Sequence, residues 1–300
     1  MANHVRRSPR LVRLVLAATG AAALLAVLAA TAGAGSTPTP LPPGSMALTV
    51  DAPPAVAGVT PPADGSICYF GACYNYVAGR QYAYYATGAS VKLWRASPNL
   101  DPSDPNSHSL QELAVQSVDQ LQIVEVGWTV DRSLNGDAHP HLFVFHWVDG
   151  VPTCYNGCGF VSTSTKVVPG EKLPSGGYGT FQINHVGDEW QISLDGTMFG
   201  YFPDSLWGSS TFTQPLLIQA FGEVASTSTP TCNQMGTGQY AESPASSAIE
   251  GFTLLGPTVS PTDLFAPGFE LVTNPQWYDD SGLQPTGFRL GGPGSGRCGT

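Results

Sequence analysis

The segment Glu189–Phe202, EWQISLDGTMFGYF, consists of two arms of alternating polar and apolar residues around Asp195-Gly196. A period of two puts one side of each arm into a core and the other outward. An Asp-Gly pair tolerates the positive φ angles that a two-residue hairpin turn needs. The same grammar recurs along the chain. SVKLWRAS (Ser90–Ser97), LQIVEVGWTV (Leu121–Val130), HLFVFHWV (His141–Val148, followed by Asp149-Gly150), CGFVSTST, TFQINHV, PLLIQAFGEV (Pro215–Val224) and AIEGFTLLG all read as strands. SLQELAVQSV, Ser109–Val118, fits a short helix too, but it leads straight into LQIVEVGWTV and is read as a strand. Closely spaced strands with turn chemistry between them, and no long amphipathic helix, predict an all-β chain: an antiparallel β-sandwich with long connecting loops.

The N-terminus is of another kind. Met1–Arg13 carries four arginines and no acid, Leu14–Ala30 is almost continuously apolar, and small residues follow with an A-x-A spacing at Ala30–Ala32 and Ala32–Ala34. That is the layout of a secretory signal peptide, expected to span residues 1–35, with a retained membrane anchor as the rival reading. Residues 36–66 contain TPTPLPPGS and DAPPAVAGVTPPADGS, a proline density that favours extended chain and predicts a linker or short pro-segment. The folded domain is expected over residues 67–300. Without the leader, eight Lys+Arg stand against 22 Asp+Glu, a balance near −14. So acidic a surface repels phosphate backbones and excludes nucleic acid as a partner class. The expected product is a secreted, extracellular monomer, free of the membrane after cleavage and needing no cofactor.

Six cysteines, Cys68, Cys73, Cys154, Cys158, Cys232 and Cys298, are an even count in an exported chain, which points to disulfides. Six allow 15 pairings. Proximity in sequence favours Cys68–Cys73 and Cys154–Cys158, leaving Cys232–Cys298. A four-cysteine zinc site is the weaker competing reading in an oxidising compartment.

Two strands contain an anomaly. Glu125 stands among Ile123, Val124 and Val126, and Glu223 follows Phe221 in an otherwise apolar run. A lone buried carboxylate is costly, so each acid must be paired, hydrogen-bonded, protonated or set in a wet cleft. Cations are too few to pair them generally. Two such strands suggest two carboxyl groups on a common groove, one able to hold a proton and the other to take one. The plainer reading is that both are solvent-face residues, with Gly127 and Gly222 marking bulges that expose them.

Other candidates are weaker. His139, His141 and His146 cluster in HPHLFVFH, yet no third ligand type lies near them, and no metal is expected. There is no G-x-S-x-G nucleophile elbow. MGTGQY, Met235–Tyr240, imitates part of a dinucleotide fingerprint but lacks the strand-then-helix context. The aromatics of WQISLDGTMFGYFPDSLW suit a groove or a core equally well.

In order and spacing, IVEVGWTV, HLFVFHWVDG, CYNGCGFV, GYFPDSLW and AFGEV with CNQMGTGQY resemble the neprosin family, over roughly Ser90 to Cys298. The resemblance implies a β-sandwich and a secreted glutamic endopeptidase that cuts on the carboxyl side of proline in acid. Its catalytic glutamates lie in E-x-GW and G-E-V, which here are Glu125 and Glu223. A peptide or protein substrate follows. The main alternative is a lectin-like sandwich that binds polysaccharide or peptide without turnover; a glycosidase, which also uses two carboxyl groups, is a third reading.

Overall fold

The structure, a computed structural model, describes residues 67–69, 71–83, 85–208, 212–259, 265, 269–296 and 298. The expected signal peptide and proline-rich linker lie outside the described residues. Among those described, the strands in chain order are β1 (Ile67–Tyr69), β2 (Ala72–Tyr82), β3 (Gly88–Arg95), β4 (His108–Gln116), β5 (Ile123–Asp131), β6 (His141–Val148), β7 (Val151–Pro152) and β8 (Val161–Ser162). There follow β9 (Gly177–Val186), β10 (Glu189–Leu194), β11 (Thr197–Pro203), β12 (Leu217–Ser226), β13 (Ser247–Leu255), β14 (Glu270–Val272), β15 (Asp279–Asp280) and β16 (Phe288–Gly291). The one α-helix among these residues is the single turn α1, Arg132–Asn135, capped by Asp131 and ended by Gly136 in the left-handed region.

The strands form two antiparallel sheets. The first runs β1-β2-β12-β4-β5-β6-β7, with β14 also against β2; the second runs β15-β16-β13-β3-β9-β10-β11-β8. One continuous core joins them. From the first sheet it takes Val124, Val126, Trp128 and Val130 of β5 and Ile218, Ala220 and Val224 of β12; from the second, Val91, Leu93, Phe181, Ile183, Trp190 and Ile192. Burying each such side chain is worth about 1.5–3 kcal/mol, so this core fixes the register of both sheets. A slip of one residue would turn every inward side chain outward.

The two turns expected from Asp-Gly pairs are present. Asp195 and Gly196 have φ 49° and 77°, and Asp149 and Gly150 have φ 52° and 74°. Of CGFVSTST only Val161–Ser162 is strand. The chain ahead of it is taken up by turns, with Asn156, Cys158 and Gly159 all at positive φ around the Cys154–Cys158 bridge. The hairpin aromatics belong to the core. Trp190, Phe199, Phe202 and Trp207 are buried, and the indoles of Trp190 and Trp207 donate to Phe212 O and Trp147 O, both at 2.8 Å.

The cysteines are joined as Cys68–Cys73, Cys154–Cys158 and Cys232–Cys298. The first crosses the β1-β2 hairpin at directly opposed residues. The third ties the segment after β12 to the C-terminal tail, where Met235 also bridges Gly292. Met235–Tyr240 forms a turn with Gly236 and Gly238 at positive φ, not a phosphate-binding strand–helix junction. Three bridges fit an oxidising compartment. Among the described residues no helix is long and apolar enough to cross a membrane.

Candidate active site

The first sheet has a second buried face, turned away from the sandwich core. Residues opposed across an antiparallel ladder share a face, so the pairing register assigns this one. Glu223 on β12 is opposed by Tyr76 on β2 and Leu110 on β4. Glu112 on β4 is opposed by Phe221 on β12 and Gly127 on β5. Glu125 on β5 is opposed by Ala114 on β4 and Phe145 on β6. Three glutamates on three adjacent strands therefore project from one face. Around them Ala78, Leu110, Ala114, Phe143 and Phe221 form a separate apolar cluster, with Tyr76, Phe145 and Tyr155 packed against it.

The expected bulges are not there. The ladders of β12 with β2 and β4, and of β5 with β4 and β6, run in unbroken register through both glycines. Gly222 points into the sandwich core, where a Cβ would lie 2.4 Å from Leu290 Cδ1. Gly127 lies on the glutamate face, where a Cβ would lie 2.1 Å from Gln111 O and 2.8 Å from Glu112 Cβ. Each glycine thus permits a close approach, and neither exposes an acid by breaking the strand.

The two acids singled out in the sequence have different surroundings. Glu223 is buried, and its Oε1 lies 2.7 Å from His108 Nε2. Burial works against charge on His108, but the hydrogen bond to Glu223 and its negative charge, helped by Asp131 and Asp104, outweigh it and raise the imidazole pKa. With the imidazole protonated, this contact is a charge-assisted hydrogen bond. Among the described residues Glu125 has no cation in ion-pair contact. Its Oε1 accepts from Trp147 Nε1 at 2.9 Å. Burial first, and then the charge of Glu223, lift its pKa from 4.5 to about 8, against the opposing pull of the indole. The face thus holds one carboxyl group paired with an imidazole and another that keeps its proton to about pH 8, an asymmetry suited to acid–base work.

Aromatic rings wall this face. Tyr155 lies tilted against Phe145 at 4.9 Å and meets Phe143 edge-on at 5.5 Å, and Tyr76 meets Phe221 edge-on at 5.8 Å. Burial and the nearby carboxyl groups push the Tyr155 hydroxyl far up, so it stays protonated. Tyr74 lies 5.9 Å from the His108 ring and is raised by burial and by Glu223.

The histidines of HPHLFVFH do not converge. His141 donates from Nδ1 to Gly170 O at 2.8 Å and lies 3.0 Å from Asp137 through Nε2. His146 packs against Phe202 and Trp207, where burial depresses its pKa to about 4 and keeps it neutral. Among the described residues no group of three His, Cys, Asp or Glu is placed to hold a metal.

Three contributors escaped the sequence reading: Glu112, His108 and Trp147. Glu112 carried a usable signal, since once SLQELAVQ is a strand it is a third acid in a buried run. His108 carried none, because its partner lies 115 residues away.

Fold and site together define an antiparallel β-sandwich with three buried carboxyl groups carried on adjacent strands of one sheet. The chain belongs to the neprosin family, whose model matches residues 105–293. Among solved structures, scytalido-glutamic peptidase with a peptide-based transition-state analogue is similar at 11% identity and TM-score 0.41, over 72% of this chain and 97% of that one. SCP-B, a member of the eqolisin family of peptidases bound to the tripeptide Ala-Ile-His, is similar at 10% identity and TM-score 0.37, over 72% and 96%. The chicken-liver agglutinin CG-16 is similar at 12% identity and TM-score 0.31, over 50% and 93%.

Proposed function

We propose that this protein is a secreted glutamic endopeptidase that hydrolyses peptide bonds on the carboxyl side of proline, with Glu125 and Glu223 as its catalytic acids. One observation carries the reading: the same sheet face holds a carboxyl group 2.7 Å from an imidazole nitrogen and another that keeps its proton to about pH 8. Membership of the neprosin family supports it.

The roles follow from the two environments. Glu223, ionised beside His108, is the general base that takes a proton from water as the water attacks the peptide carbonyl. Glu125, protonated, donates to the carbonyl oxygen as negative charge develops there and then assists departure of the amine. His108 positions Glu223, and Trp147 positions Glu125. The aromatic walls offer flat apolar surface to an extended substrate, which suits a proline ring as well as other apolar side chains. The proton on Glu125 sets the upper limit of activity near pH 8, so the working range extends from acid toward neutral pH. The lectin-like alternative loses the hairpin as its stacking surface, because Trp190, Phe199, Phe202 and Trp207 lie in the core.

The test is mass spectrometry of peptides released from a denatured mixed proteome by the wild-type protein and by Glu125→Gln and Glu223→Gln. Fragments ending in proline, absent with either variant, are expected. Full activity in either variant would remove that residue from the mechanism, and fragments without proline at their ends would remove the specificity.

A further inference from the structure

Glu112 lies on the line between the two catalytic acids. Along β4 the register sets Leu110 opposite Glu223 on one side and Ala114 opposite Glu125 on the other, with Glu112 midway between them. Diagonal neighbours on one face of an antiparallel sheet are roughly 7–8 Å apart at Cα. Glu112 is the diagonal neighbour of both acids, whereas these are about twice that distance from each other. A peptide bond reached by both Glu125 and Glu223 therefore passes over Glu112.

The surroundings of Glu112 keep its carboxyl group uncharged. It is 3% exposed and takes part in none of the described ion pairs. The titratable groups on its face are Glu223, Tyr74, Tyr76, Arg80 and Tyr82 on the β12–β2 side, Glu125, Asp131 and His141 on the β5–β6 side, His108 at the start of its own strand, and Tyr155 above. The cations among these are committed elsewhere, His108 to Glu223, His141 to Asp137, and Arg80 to the carbonyl oxygens of Phe269 and Glu270. Burial, then the charges of Glu125 and Glu223, push the Glu112 carboxyl well above the usual carboxylate range. Space has also been cleared beside it. Its neighbour across the ladder is Gly127, and a Cβ there would lie 2.8 Å from both Cα and Cβ of Glu112. The glycine of the E-x-GW motif thus makes room for this acid.

We propose, building on the peptidase reading, that Glu112 is a third catalytic acid: a neutral carboxyl group whose O–H donates a hydrogen bond to the carbonyl oxygen of the scissile bond. Together with Glu125 it forms an oxyanion hole of two carboxylic acids, facing the single carboxylate of Glu223. Glu112 keeps its proton throughout and no bond to it is made or broken. A neutral acid in an apolar site is a strong donor aimed where charge develops, and the fixed strand spends nothing on reorientation during the reaction.

The experiment compares wild-type protein, Glu112→Gln and Glu112→Met on one proline-containing peptide, alongside the infrared carbonyl band of protonated carboxylic acids at neutral pH. Glutamine keeps a weaker donor and should lower kcat by about tenfold. Methionine keeps the bulk without a donor and should lower kcat by about 10²–10³, with KM within a few-fold, the loss typical of a missing oxyanion donor. The infrared band should lose intensity in Glu112→Gln. Glutamine matches the shape of the acid, so it reports even if the methionine variant fails to fold. A kcat within threefold of wild type for Glu112→Met, loss of all activity in Glu112→Gln, or an unchanged infrared band would each overturn the inference while leaving the Glu125–Glu223 pair standing. A wild-type protein that cuts no peptide would take both readings down together.

Discussion

Replacing Glu125 by glutamine should make the protein more stable at neutral pH while abolishing its activity. In the unfolded chain a glutamate loses its proton near 4.5, and in the folded protein Glu125 holds it to about 8. Between these values the unfolded state gains by ionising and the folded state does not. A raised pKa of this sign gives stability that is full below 4.5 and is lost as pH rises toward 8. Each unit costs about 1.4 kcal/mol. From 4.5 to pH 7 this sums to about 3 kcal/mol, and partial solvent access to the groove lowers the working figure to about 2 kcal/mol. Glutamine removes the titration yet keeps an amide oxygen for the Trp147 indole. Urea unfolding followed by tryptophan fluorescence, with disulfides intact, measures the difference at about pH 4 and at pH 7. The two proteins should agree within about 0.5 kcal/mol in acid, the ordinary scatter of a neutral substitution, and diverge at pH 7 in favour of the variant. If Glu125→Gln is equally stable or less stable than wild type at pH 7, Glu125 is ionised there. Its role as the proton-holding acid then falls.

Two further outcomes follow from the same face. Gly127→Ala places a methyl group 2.1 Å from the Gln111 carbonyl oxygen, a backbone atom that cannot swing away, so the β4–β5 ladder must open; a loss of about 1–3 kcal/mol and a lower melting temperature are expected, and an unchanged melting curve would contradict the close approach. His108→Gln removes a cation whose raised pKa stabilises the fold below 6.5 and loses its effect as pH rises beyond that value. The variant should therefore melt lower than wild type at about pH 5, with the gap closing by about pH 9, and its kcat/KM should fall by at least tenfold as Glu223 loses its partner; a pH-independent gap would place the effect in packing alone.

How much of this the sequence disclosed depended on whether the signal was local. The hairpin around Asp195-Gly196 was legible because alternation and turn chemistry agree within one short stretch. Glu125 and Glu223 were legible because a carboxyl group contradicts its apolar neighbours. Glu112 was obscured by SLQELAVQSV, whose apolar spacing serves a helix nearly as well as a strand. The role of Gly127 is not legible, since a strand glycine signals a bulge or a close approach alike and only the partner strand decides between them. The aromatics of the Trp-rich hairpin suit groove and core equally in sequence, and they do not supply the groove. The groove aromatics come instead from Tyr76 of β2, from Phe143 and Phe145 of β6, and from Tyr155 in the loop beyond β7. HLFVFHWV gave little guidance because β6 is buried on both faces, so its side chains show no alternation that tells groove from core.

The position of β12 has a consequence for the life of the chain. This strand is threaded between β2 and β4, which both precede it by a hundred residues or more. Until residue 226 has been synthesised and that gap filled, Glu125 and Glu112 have no Glu223 beside them and no closed wall around them. On the proposed mechanism a nascent or unravelled molecule would lack the full set of acids, so cutting power would arise only with completion of the sheet and would be lost with any damage that expels this one strand.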